Sequence, residues 1–318
     1  EEGGALWSCG LGESGQLGQG DYESQGLLGE VLIDDVLQAS AGHWHSAAVT
    51  TQGHLYTWGR NDNEELGLLL SPDDDGKPIA SITVPRRVYA LGDAPVKQVS
   101  CGARHTLAVT TKGEVYSWGT GRHGALGLGS DKGEPLPTRV DALADSFIVS
   151  VHAGVETSAA VSDDGRLWMW GHGGWHQLGQ GDNKNRETPS LVNVPGSVRQ
   201  VACGAFHTTA VTEAGEVFSF GVSMYGSLGL GDNVKAHVTE PARVEHDLLQ
   251  RGVKQVACGW KHVVALTGHG EVVAWGNGAG GVLGLGNQYD KFEPCSVAKL
   301  KGERVRGVSC GLNHSAAW

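Results

Sequence analysis

Positive charge is scarce in this chain of 318 residues, with 24 lysines and arginines against 35 aspartates and glutamates and a formal net charge of −11. No run of lysine or arginine occurs. Nucleic-acid binding draws much of its affinity from phosphate neutralisation, so this balance argues against direct nucleic-acid recognition. No apolar stretch approaches the ~20 residues that a membrane-spanning helix needs, and no secretory leader opens the sequence. A sustained period of 3.6 is missing too, so helices are expected to be almost absent. Cysteine is sparse, at 6, and four (Cys101, Cys203, Cys258 and Cys310) share one repeat phase, while Cys9 and Cys295 stand apart. That is the pattern of small buried strand residues rather than of a disulfide framework. It points to a reducing intracellular compartment, cytoplasmic or nuclear. No nucleophile, base and orienting acid form a local signature, so no enzymatic activity is expected.

Glycine is abundant instead, at 50 residues, and much of it is periodic. Gly42, Gly102, Gly154, Gly204, Gly259 and Gly311 each open the same sentence. Eleven residues later stand Gly53, Gly113, Gly165, Gly215 and Gly270, and six after those stand Gly59, Gly119, Gly171, Gly221 and Gly276. Gly4 and Gly10 supply the missing pair at the N-terminus. A histidine follows the opening glycine at His45, His105, His207, His262 and His314, with Thr157 in the third copy. Alanine stands at Ala48, Ala108, Ala160, Ala210, Ala265 and Ala317. An aromatic strand then ends in Trp-Gly or a variant of it, and a glycine-rich loop and a Leu-Gly pair follow. Such a period means a repeat architecture.

Each copy reads as four short strands cut by glycine turns. Pro85, Pro137, Pro189, Pro241 and Pro294 suit an outer edge strand, where a missing N–H breaks no ladder. Four-stranded sheets repeated in this way make an all-β β-propeller. The phase at Trp318 is followed by the phase at Glu1, so the chain spans six repeats of about 53 residues. The expectation is one domain over residues 1–318, with six four-stranded blades closed by pairing N- and C-terminal strands. A seven-bladed form with one copy outside the sequence is the alternative.

The stretch CGARHTLAVTTKGEVYSWG at 101–119 resembles the regulator of chromosome condensation repeat family, and the resemblance covers essentially the whole chain. It implies a β-propeller, usually of seven blades, that serves protein partners. The family's founder is a guanine nucleotide exchange factor for a small GTPase and carries a basic N-terminal tail, which this chain lacks. Plant UV-B photoreceptors of the same family use tryptophans from GWRH-type loops of successive blades. Here the residue after each opening glycine is His43, Ala103, Val155, Ala205, Trp260 or Leu312, so only Trp260 matches.

Three G-x-G-x-x-G loops, at 10–15, 119–124 and 276–281, share one repeat phase and open no helix. They read as repeat loops rather than nucleotide sites. The phased histidines fall in different blades and cannot converge on one ion, so they read as structural. Asp73-Asp74-Asp75-Gly76 lacks the spacing of a calcium loop. No cofactor or metal is therefore expected. Trp58, Trp118, Trp170 and Trp275 share the Trp-Gly phase and are assigned to the core. Antiparallel strands put the first and third loops of each blade on one face, and there the copies differ most. Trp44, Arg104, Arg122, Trp175, Phe206, Tyr225, Trp260 and Lys261 are the candidate protein-binding residues, since aromatics and arginine anchor interfaces. The reading is a non-enzymatic interaction module or scaffold. Its partner is a protein, with a small GTPase as one alternative and a light-sensing role as another.

Overall fold

A computed structural model describes residues 3–92, 94–232 and 236–318. The chain divides into two compact units, Glu1–Ser158 and Ala159–Trp318. Secondary structure among the described residues is antiparallel strand with short 3-10 turns and no α-helix.

In the first unit, Gly4–Gly10, Gln25–Ala41, His45–Thr50, Leu55–Arg60 and Ser81–Arg87 pair in chain order as a five-stranded sheet. Val96–Cys101, His105–Thr110, Val115–Gly119 and Glu134–Arg139 make a four-stranded one. Ile148–Ala153, Thr157–Ser162, Leu167–Gly171 and Arg186–Val192 make a second four-stranded sheet. The second unit holds two more, Val198–Cys203 to His237–Arg243 and Val253–Cys258 to Lys291–Ser296. Val308–Cys310 and Ser315–Ala317 form a two-stranded sheet.

The expected strand pattern within a repeat is thus present, but six or seven four-stranded blades are not. Among the described residues there are five full sheets and one two-stranded remnant. The expected pairing of N- and C-terminal strands is also replaced. Gly4–Gly10 pairs with the start of the following strand, Leu6 opposite Val31 and Gly10 opposite Gln25. The physical reason lies at 31–38. Other copies interrupt the passage from fourth to first strand with a 3-10 turn, as at Asp141–Leu143 and Asp247–Leu249, or with Pro195-Gly196. Here Val36 pairs at once with Gly4 and Thr50. The corner is taken up by a bulge between the Leu6–Val31 and Gly4–Val36 pairs, with Asp35 in the left-handed region at φ 55°. One continuous strand therefore fuses what the repeat phase assigns to two blades. Glu1, placed beside Trp318 by the repeat phase, lies outside the described residues.

The phased residues join successive copies within each unit. Trp118 is fully buried, and its indole N–H donates to the Glu65 carbonyl at 2.9 Å. The Leu-Gly glycine makes room for the ring, since a Cβ on Gly67 would stand 2.7 Å from the Trp118 indole nitrogen. Trp58 and Trp275 repeat the bond to Gln16 and Ser227, and Trp170 is equally buried. The assignment of these four tryptophans to the core holds.

The histidines are structural as well. His45, His105 and His262 lie 2.9–3.0 Å from the hydroxyls of Thr106, Ser158 and Ser315. Each hydroxyl already donates to a loop carbonyl, of Glu65, Ala125 and Val282 respectively. Each therefore accepts from the imidazole Nε2–H, which fixes the neutral tautomer. Burial pushes the pKa of His45 and His207 down to about 3, and that of His105 and His262 down to about 4.

A glutamine ladder adds to this. Gln38, Gln98, Gln200 and Gln255 occupy one phase, and each amide both donates to and accepts from the backbone of Val99, Val151, Val256 or Val308. The side chain thereby imitates a missing strand rung. The third copy breaks both patterns, with Ser150 at the glutamine phase and Thr157 at the histidine phase. Among the described residues both hydroxyl oxygens are buried without a partner. Cys101 is a buried thiol, and burial pushes its pKa up to about 12.

Candidate functional site

The first and third loops of a blade share one end, as the antiparallel order requires, and a backbone bond ties them. Arg60, Thr120, Val222 and Asn277 donate their N–H groups to the carbonyls of Trp44, Arg104, Phe206 and Lys261 at 2.8–2.9 Å. The Trp-Gly glycine permits this approach. A Cβ on Gly119 would meet the Arg104 carbonyl oxygen at 2.6 Å, and Gly119 itself sits at φ 97°. Trp44, Arg104, Arg122, Phe206, Tyr225, Trp260 and Lys261 are thus carried on tied two-loop tips whose side chains vary while this backbone bond does not.

In the second unit the structure brings five candidates together in two groups. Trp175 and Phe206 meet edge to face, with ring centroids 5.6 Å apart. The Lys261 ammonium lies 4.8 Å from the centroid of the Tyr225 ring and 5.9 Å from that of Trp260. Trp175, Tyr225 and Trp260 remain 38–45% exposed, enough for each to offer apolar surface to a partner. In both groups the third loop of one copy touches the first loop of the next.

In the first unit the same juxtaposition is made with charge. Arg122 and His123 both approach the carboxylate of Glu156, at 3.6 and 3.5 Å. Arg104 is exposed, and its charge adds to burial in lowering the pKa of His43. Trp44 is half-buried on the same tip. Glu156, His123 and His43 are site residues that sequence reasoning did not select. Glu65, also unselected, is a buried carboxylate whose pKa burial raises.

A further signal is conformational. His123, His176 and Tyr225, all in third loops, adopt left-handed φ of 58–60°, whereas Gly280 fills a third-loop left-handed position in another copy. Holding a bulky residue there costs on the order of 1 kcal/mol or more. Such strain persists where the side chain is needed.

The opposite end of the second unit carries a polar cleft of about 350 Å³ lined by Gly215, Glu216, Arg243 and His246. Its arginine is already paired with Glu216 at 2.9 Å. Asp73, in the long insertion, accepts from the N–H groups of Asp75 and Lys77, as an exposed turn does. Among the described residues no three histidine, cysteine or acidic side chains are grouped to hold a metal ion. Among the described residues no helix is long and apolar enough to cross a membrane.

The model of the RCC1-like domain matches residues 5–318. The chain is 36% identical to the ultraviolet-B receptor UVR8 of Arabidopsis thaliana over 316 residues, which is 98% of this chain and 69% of that protein. It is 32% identical to the E3 ubiquitin-protein ligase HERC2 of Mus musculus across 99% of its own length but only 6% of the ligase's. Among solved structures, human WBSCR16 matches at a TM-score of 0.85 and 30% identity, over 98% of this chain and 80% of that one. Prp20p of Saccharomyces cerevisiae, whose structure was described with its binding to Gsp1p and histones, matches at 0.63 and 20% identity over 99% and 91%, a likeness of fold alone. The repeat grammar, the stitched tryptophans and these matches agree: the chain belongs to the RCC1-like domain family of all-β β-propellers.

Proposed function

We propose that this chain is a non-enzymatic protein-interaction module that binds its partner through the first and third loops. The observation that carries the reading is the cluster in the second unit, where Trp175, Phe206, Tyr225, Trp260 and Lys261 gather on rigid tips and stay accessible. Large aromatics on a preorganised scaffold are the usual anchors of protein interfaces. The strain at Tyr225 supports the same reading, because a fold-only role would be met by glycine.

Partners captured on the immobilised chain from its native source provide the test. Trp44→Ala, Trp260→Ala and Tyr225→Gly are expected to weaken the complex roughly tenfold or more. Tyr225→Gly should do so with the melting temperature unchanged or raised, since the left-handed strain is relieved. Gln52→Ala and Lys112→Ala, on the opposite turns, should change neither. Binding lost only through the opposite turns would refute the assignment. Capture of a nucleotide-free small GTPase by the loop face would instead favour exchange activity, the founder's function.

A second reading follows from the 36% identity to the ultraviolet-B receptor. Trp260 in GWKH is in the required phase and stands beside a cation. In the neighbouring copies that phase holds Ala205 and Leu312, where a tryptophan-based sensor would want indoles. UV-B illumination is therefore expected to leave the elution volume in size-exclusion chromatography unchanged. A shift abolished by Trp260→Phe would establish light sensing instead.

A further inference from the structure

We infer that the partner segment held by the loop face is an acidic one, a short stretch of protein chain with a carboxylate next to an apolar side chain. The inference rests on the interaction reading above and names the chemistry of its partner.

The chain is acidic overall, yet the loop tips of the second unit are not. Residues 172–177, 204–206, 222–227, 259–261, 277–282 and 311–313 contain one lysine, Lys261, and no arginine, aspartate or glutamate. Further along the same loops, Asp182 is bonded to Arg186, and Asp290 accepts from Asn277 and Gly278. Neither carboxylate belongs to Lys261, and the exposed Asp232 of the Tyr225 loop makes no ion pair with it among the described residues.

No ion pair engages Lys261 among the described residues. Lys261 is half-buried, and its ammonium stands near both the Tyr225 and the Trp260 rings. The rings return part of the hydration that it gives up. They accept no hydrogen bond in the way a carboxylate does, so its N–H donors are open to a charge-assisted bond from outside. Phe206 shares its blade with Tyr225, in loops tied by Val222 N–H to the Phe206 carbonyl. Trp175 stands edge to face against Phe206. An apolar contact surface therefore adjoins the cation, which is why the carboxylate is paired here with an apolar neighbour. Complementary charge also draws an acidic segment to this cationic tip of the second unit.

Selection of random short peptides displayed on phage, against the immobilised 1–318 chain, tests this directly. Enriched peptides should carry aspartate or glutamate beside an aliphatic or aromatic residue. Their affinity should fall roughly tenfold or more in Lys261→Met, survive in Lys261→Arg, and weaken as salt rises. Thermal melts of both variants, expected to match the parent, separate lost binding from lost fold. Lys261→Gln repeats the test should Lys261→Met melt early. Peptides with no acidic bias that are nevertheless lost in Trp175→Ala and Tyr225→Gly would overturn the acidic partner and leave the interaction reading intact. Failure to enrich any peptide, or binders indifferent to all of these changes, would overturn both.

Discussion

Replacing Trp118 by alanine is expected to cost about 3–5 kcal/mol of folding stability. The side chain is fully buried, and its ring packs with Val99, Leu55 and Ala108 in the core of the first unit. It also fills the space above Gly67 and donates to Glu65 of the preceding copy. The Glu65 carbonyl keeps its second donor, Thr106, so the loss is dominated by the cavity rather than by an orphaned acceptor. Chemical denaturation measures it. A change within about 0.5 kcal/mol would mean that the phase does not mark the core. Trp175→Ala, at an exposed tip, should by contrast cost little.

Acid should unfold the chain at unusually mild pH. His45, His105, His207 and His262 are buried and neutral, with pKa values pushed down from 6.5 to about 3–4. The unfolded chain binds protons at these sites first, so their contribution is full above pH ~6.5 and is lost as the pH falls toward 4. At one pKa unit per ~1.4 kcal/mol, each site forfeits about 2 kcal/mol at pH 5, or about 8 kcal/mol for the four. That is comparable to the whole stability of a typical domain, about 5–15 kcal/mol. Melting temperatures measured from pH 8 downward should therefore drop steeply below pH 6. His105→Gln should flatten the slope by about one proton. A melting temperature that stays level to pH 4.5 would contradict the neutral, buried assignment.

Much of this was legible in the sequence because a repeat imposes one environment on every copy. Trp118 could be assigned to the core, and His105 to a structural role, from repeat phase alone. The shared face of the first and third loops followed from strand order alone. The number of blades did not. It turned on whether 31–38 would break between two strands or run through, and a bulge with a left-handed Asp35 allowed it to run through. The pairings on the face were equally hidden. Lys261 meets Tyr225 across a spacing of 36 residues, and nothing local announces it. The glutamines at 38, 98, 200 and 255 share a phase that only the structure made significant. Their partners are backbone groups, which leave no mark in the sequence.

The central claim is that the repeat-constant residues build the fold and the variable loop tips bind. Hydrogen exchange on the chain with and without a captured partner tests it most directly. The account predicts new protection at 172–177, 204–206, 222–227 and 259–261, and none at the opposite turns 51–53, 111–113 and 213–215. Protection confined to those opposite turns would contradict it.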